Sequence, residues 1–97
     1  MVLQLADHTV VVERGSLTVD AGASSRLPER ERVLLEALAE RPGAVVSKPT
    51  LLREVWGGGE NDEHLAEVTV ARLRQRLGPA GIGIETVVRR GYRLSQD

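Results

Sequence analysis

Apolar positions change their period along this chain, from two at the start to three or four in the middle and back to two at the end. Thr9-Val10-Val11-Val12-Glu13 is β-branched, Arg14-Gly15 marks a turn, and Ser16-Leu17-Thr18-Val19-Asp20 alternates polar with apolar. Ala21–Ser25 reads as a further turn, so residues 1–26 predict a small antiparallel sheet of two or three strands. Residues 27–78 switch to helical spacing. Pro28 suits a first turn, Glu29 and Glu31 complement a helix N-terminus, and Val33, Leu34, Leu35 and Leu38 form the buried stripe. Arg41-Pro42-Gly43 ends that helix. Ser47 is the expected N-cap of a second helix, which tolerates Pro49 in its first turn, buries Leu51, Leu52, Val55 and Trp56, and stops at Gly57-Gly58-Gly59. A third helix, capped by Asn61 or Asp62 and closed by Gly78-Pro79, follows. Residues 82–95 predict a hairpin: Ile84–Val88, a tight turn at Arg89-Arg90-Gly91, and Tyr92-Arg93-Leu94 returning. The class is α+β in a single domain.

The third helix is the informative element. Ala66, Val70, Leu73 and Leu77 are spaced four, three and four apart and make one core stripe. At about 100° per residue, His64, Val68, Ala71, Arg72 and Gln75 lie opposite it, with Arg74 and Arg76 on the flanks. A surface helix with no partner usually carries paired Glu and Lys on that face. Here the side chains are small, apolar or amide, with one arginine.

Charge sharpens the picture. The 97 residues carry 13 Lys plus Arg against 14 Asp plus Glu, a formal net charge of −1 that taken whole argues against nucleic acid. Residues 1–71 hold seven basic and twelve acidic side chains, whereas residues 72–97 hold six arginines against Glu85 and Asp97. The chain is acidic in its body and basic on one edge. With no cysteine there is no disulfide framework, thiolate metal site or thiol nucleophile. No apolar run approaches the ~20 residues of a membrane span, and no signal peptide follows Met1, so a cytoplasmic location is expected.

Catalytic chemistry has little to stand on. His8 and His64 lack the partners of a hydrolytic triad. Glu60, Asp62, Glu63 and His64 cluster, but acids at a helix start follow from the helix dipole, and no metal is expected. Gly57-Gly58-Gly59 lacks the Lys-Ser/Thr of a phosphate loop, so no nucleotide cofactor is expected either. By contrast, Arg72, Gln75, Val68 and Ala71 are the side-chain types that pair with guanine, adenine and the thymine methyl in a major groove. Arg89 and Arg90 at a narrow hairpin tip, with Arg93 beyond, suit a phosphate backbone or minor groove. A protein-contact face is the competing use of the same helix.

Three blocks carry a family resemblance: "RPGAVVSKPTLLREVWG" (41–57), "VTVARLRQRLG" (68–78) and "IETVVRRGYRL" (84–94). In this order and spacing the chain resembles the OmpR/PhoB-type winged helix-turn-helix DNA-binding domain over roughly residues 27–94. The resemblance implies an N-terminal antiparallel sheet, three helices and a C-terminal hairpin wing, with the third helix in the major groove of double-stranded DNA. It implies that Arg72 contacts bases, that Arg74 contacts phosphate, that Val68 and Thr69 approach bases or backbone, and that Thr86 lies near phosphate. Trp56 and Tyr92 are implied to be structural, and the loop Gly57–Asp62 to be a contact for RNA polymerase.

The chain departs from the family pattern at several points. Val88 stands at a usual wing arginine and Arg89 where glycine is common, which shifts the minor-groove role to Arg89 or Arg90. His64 stands where an arginine often holds phosphate, Ala71 replaces a frequent basic residue, and Arg32 replaces the usual aromatic of the first helix. "VVRRGYRL" together with "LQLADHTVVVERG" is also similar to a narrower group, in which this domain follows a uroporphyrinogen-III synthase domain. Either parentage implies a missing N-terminal receiver or enzyme domain, and an effector that binds DNA without catalysis of its own. The rival is a module that docks on that enzyme domain or on polymerase, its DNA binding weakened or lost.

Overall fold

The computed structural model describes residues 1–58 and 62–95. Its N-terminal sheet has four antiparallel strands in the order β1 (Val2–Leu5), β2 (His8–Glu13), β3 (Ser16–Val19) and β4 (Ser25–Arg26). The two or three strands expected from the sequence are corrected to four. Met1 and Val12 exchange backbone hydrogen bonds of 2.8 Å, which recruits β1, and Ser25 and Arg26 pair with Leu17 and Ser16. Two-residue loops join the first three strands. Ala6 and Asp7, then Arg14 and Gly15, all take positive φ, the conformation whose twist matches the flanking strands. The period-2 pattern puts Leu5, Val10, Val12 and Leu17 on the inner face.

That face packs on three helices, α1 (Glu29–Ala39), α2 (Lys48–Trp56) and α3 (Glu63–Leu77). Leu34, Leu35 and Leu38 of α1, Leu51 and Val55 of α2, and Val70, Leu73 and Leu77 of α3 meet in one core. Burying each large aliphatic side chain contributes about 1.5–3 kcal/mol before conformational entropy is charged against it. Val33 is only half-buried and lies at the core's margin, as does Trp56. Helix ends follow local chemistry. The Ser47 hydroxyl accepts from the Thr50 N–H at 3.2 Å, and the Asp62 carboxylate accepts from the His64 N–H at 2.6 Å. Asn61, the other expected cap, lies outside the described residues, as do Gly59 and Glu60. Gly57 closes α2 at φ 81, in the left-handed region.

After α3, a 3-10 turn (Gly78–Gly83) leads into the hairpin β5 (Ile84–Val87) and β6 (Gly91–Leu94). The hairpin is seated on the helices by a bridge: the Val46 N–H donates to the Tyr92 carbonyl at 2.8 Å, and the Tyr92 N–H to that of Val46 at 3.0 Å. Gly91 makes this close pass possible. It sits at φ 144, and a Cβ there would drive into the Val46 carbonyl and Ser47 backbone. Replacing Gly91 with Ala is therefore expected to destabilise the domain by about 3 kcal/mol, lowering Tm by roughly 10 °C or more in thermal unfolding. A Tm within a degree or two of wild type would mean the hairpin seats some other way.

Candidate nucleic-acid interface

The core stripe of α3 turns the opposite arc outward. His64, Ala71, Arg72 and Gln75 are exposed, and Val68 is half-buried. Leu65, absent from the sequence expectation, is also exposed on this arc, a spacing of seven from Arg72. Thr69 does not share the face. It is 8% exposed, and its hydroxyl donates to the Leu65 carbonyl at 2.8 Å. The reason is angular: Thr69 is three residues from Ala66 and four from Leu73, both in the core stripe. Thr69 is thus a buried, internally bonded position of α3.

Arg74 is the second difference from expectation. Its guanidinium turns toward the hairpin, with Nε and Nη2 donating to the Ile84 carbonyl at 3.0 and 2.5 Å, and Nη2 also to Thr86 Oγ1 at 2.8 Å. The charge also lies 5.8 Å from the centre of the Tyr92 ring, within cation–π range. Placed beside the core stripe, Arg74 brackets β5 to α3 instead of reaching outward as the expected phosphate contact. Thr86 remains exposed, and because its oxygen accepts from Arg74, its own O–H is left to donate outward. Tyr92 is buried, and that burial holds its phenol above the ordinary tyrosine range.

The remaining C-terminal arginines separate into two groups. Arg76 pairs with Glu31 of α1 at 2.6 Å, and Arg93 with Glu85 directly across the hairpin at 2.8 Å. Lys48 at the start of α2 pairs with Glu67 of α3 at 3.0 Å, and this hydrogen bond raises the lysine's pKa. Arg72, Arg89 and Arg90, all exposed, have no ion pair or side-chain hydrogen bond among the described residues. Apart from Arg74, whose partners are a carbonyl and a hydroxyl, the charge of the C-terminal segment that has no ion pair among the described residues thus sits on the outer face of α3 and at the hairpin tip. At that tip the Arg90 N–H closes a turn onto the Val87 carbonyl at 2.9 Å, with Arg89 at φ 65.

An antiparallel sheet, three helices with the third exposing one arc, and a hairpin bracketed to that helix make a winged helix-turn-helix. The C-terminal domain of transcriptional regulatory proteins matches residues 22–94 of the chain. The chain belongs to this OmpR/PhoB-type family. It is 35% identical over 96 residues to the heme response regulator HssR of Staphylococcus haemolyticus, a match covering 96% of the chain and 42% of that relative. The chain therefore spans about two fifths of the relative's length. Among solved structures it resembles the C-terminal domain of the nisin resistance regulator NsrR, with 32% identity, TM-score 0.73, and coverage of 88% of the chain and 89% of that domain. It also resembles the DNA-binding domain of CpxR from E. coli, with 27% identity, TM-score 0.75, and coverage of 100% and 99%.

The pair of exposed Arg76 with buried Glu31 yields a stability prediction. Glu31 is 4% exposed, so Arg76→Ala strands a desolvated carboxylate and should cost about 1–3 kcal/mol. Replacing both partners with Leu should recover most of that loss in denaturant unfolding. An Arg76→Ala variant as stable as wild type would mean the pair carries no net stability.

Proposed function

We propose that this domain binds duplex DNA as the C-terminal effector of a bacterial transcriptional regulator. The observation that carries the reading is the position of three exposed arginines with no ion pair among the described residues, Arg72 on the outer arc of α3 and Arg89 and Arg90 on the wing bracketed beside it. In this reading α3 lies in the major groove, where Arg72 donates in pairs to guanine, Gln75 to adenine, and Val68 meets a thymine methyl. His64 at the start of the helix and Thr86 on the wing donate to phosphates, while Arg89 and Arg90 lie along the backbone and minor groove. Arg74 acts one step removed, by fixing the angle between helix and wing.

The longer protein to which such a domain belongs supplies an N-terminal receiver or enzyme domain, and the HssR relative, more than twice the span of this chain, supports that arrangement. Contact with RNA polymerase through the loop between α2 and α3 belongs to the same reading, although Gly59, Glu60 and Asn61 lie outside the described residues. Among the described residues no helix is long and apolar enough to cross a membrane.

Two substitutions separate readout from grip. Arg72→Ala should cost about 1–3 kcal/mol on a selected duplex and relax discrimination at one base pair, leaving Tm unchanged. Arg89→Ala should weaken binding by a similar factor on every sequence and reduce the magnitude of the log-log salt slope by about one. Anisotropy titrations across a salt series read both effects. Chemical shifts that avoid residues 68–76 and 86–91 when duplex is added at low salt would overturn the DNA reading.

A further inference from the structure

Val88 is the most exposed apolar side chain of the wing, 76% open to solvent. It occupies the second position of the turn Val87–Arg90, whose 2.9 Å closing bond and left-handed Arg89 push the 88–89 corner away from the sheet. An isopropyl group at such a corner gains nothing from the fold it leaves. Charge without an ion pair follows it: Arg89 and Arg90 come next in the chain, and neither has an ion-pair partner among the described residues. The side chains of the tip thus present an apolar knob and many N–H donors, but no acceptor.

That inventory discriminates between groove floors. The floor of an A·T minor groove offers only acceptors, adenine N3 and thymine O2, which arginine N–H groups can meet. A G·C pair adds the guanine N2 amino group, a donor that projects into the groove. Against this tip the amino group would be pressed onto valine methyls and arginine donors, losing its water without gaining an acceptor. A·T tracts are also narrow, which strengthens the negative potential that draws in the arginines and brings the walls onto the knob.

Resting on the DNA reading above, we propose that Val88 makes the wing selective for minor groove that lacks the guanine amino group. The substrate class is duplex DNA that is A·T-rich where the wing lies. Arg89 and Arg90 supply the attraction, and Val88 supplies the exclusion.

Three alternating duplexes test this: d(AT), d(GC) and d(IC), the last combining a G·C-like major groove with a minor groove free of the amino group. The full chain should bind d(IC) roughly five- to tenfold more tightly than d(GC), which shares its major groove, and d(AT) more tightly than d(GC) by whatever part of that factor is not offset by the loss of the guanine edge that Arg72 reads. Val88→Ala should narrow the gap between d(IC) and d(GC) to about twofold, and Val88→Asn, which adds an acceptor, should raise d(GC) binding further. Both substitutions fall at an exposed corner, so unchanged Tm values should accompany them. If d(IC) groups with d(GC), or the gap persists in Val88→Ala, the proposal is overturned while DNA binding stands. If none of the three duplexes binds, the DNA reading fails and takes the proposal with it.

Discussion

In a domain of this size, two exposed elements can work on one ligand only if something fixes the angle between them. Here that task falls to Arg74, whose guanidinium donates from α3 to Ile84 and Thr86 on β5 and lies near the Tyr92 ring of β6. A bracket of this kind suits arginine better than lysine. The planar fork can hold a carbonyl and a hydroxyl at once, and its face can rest near an aromatic ring. The approach of Gly91 to Val46 completes the seating from the other strand. With both in place, the outer arc of α3 and the tip of the wing move as one body, and positioning costs are met in folding rather than on binding.

Charge is sorted by the same architecture. An acidic body and a basic edge would tend to cancel, and in places they do so pair by pair: Arg76 with Glu31, Arg93 with Glu85, Lys48 with Glu67. Each of these pairs joins two elements, so they serve the fold. Of the four C-terminal arginines with no ion pair among the described residues, Arg74 turns to the wing, and Arg72, Arg89 and Arg90 face outward. The long-range field of a chain with net charge −1 offers little steering toward a polyanion. Affinity then depends on short-range contacts, which makes the shape of the tip and the side chains of α3 decisive.

Much of this was legible in the order of residues. The helix stripes, the Ser47 and Asp62 caps and the terminal hairpin follow from period and local chemistry, which a linear reading can see. The pairing of distant segments does not. Strand β1 is made a strand by Val12, eleven residues from Met1, and β4 is two residues long, too short to show a period. Helical angle places Arg74 on a flank of α3, and its phosphate contact was implied by the family resemblance alone. Whether a flank faces solvent depends on what packs there, and β5 does. Thr69 lies three residues from Ala66 and four from Leu73, and its burial follows from that angle, one the resemblance did not consider. Glu31 was read as a dipole-complementing acid, and its burial against Arg76 depends on a contact 45 residues away.

Arg89 draws these strands together. A left-handed backbone costs a non-glycine residue about 1–2 kcal/mol, and the side chain of Arg89 makes no ion pair or hydrogen bond among the described residues. Glycine would close the same turn without strain. Other tight turns of the domain accept the same cost at Ala6, Asp7 and Arg14, so what sets this corner apart is its side chains, an unpaired guanidinium beside the exposed Val88. An exposed isopropyl group and two arginines with no ion pair at one corner contribute little to folding, and a narrow acceptor-lined groove is the kind of surface that would use both.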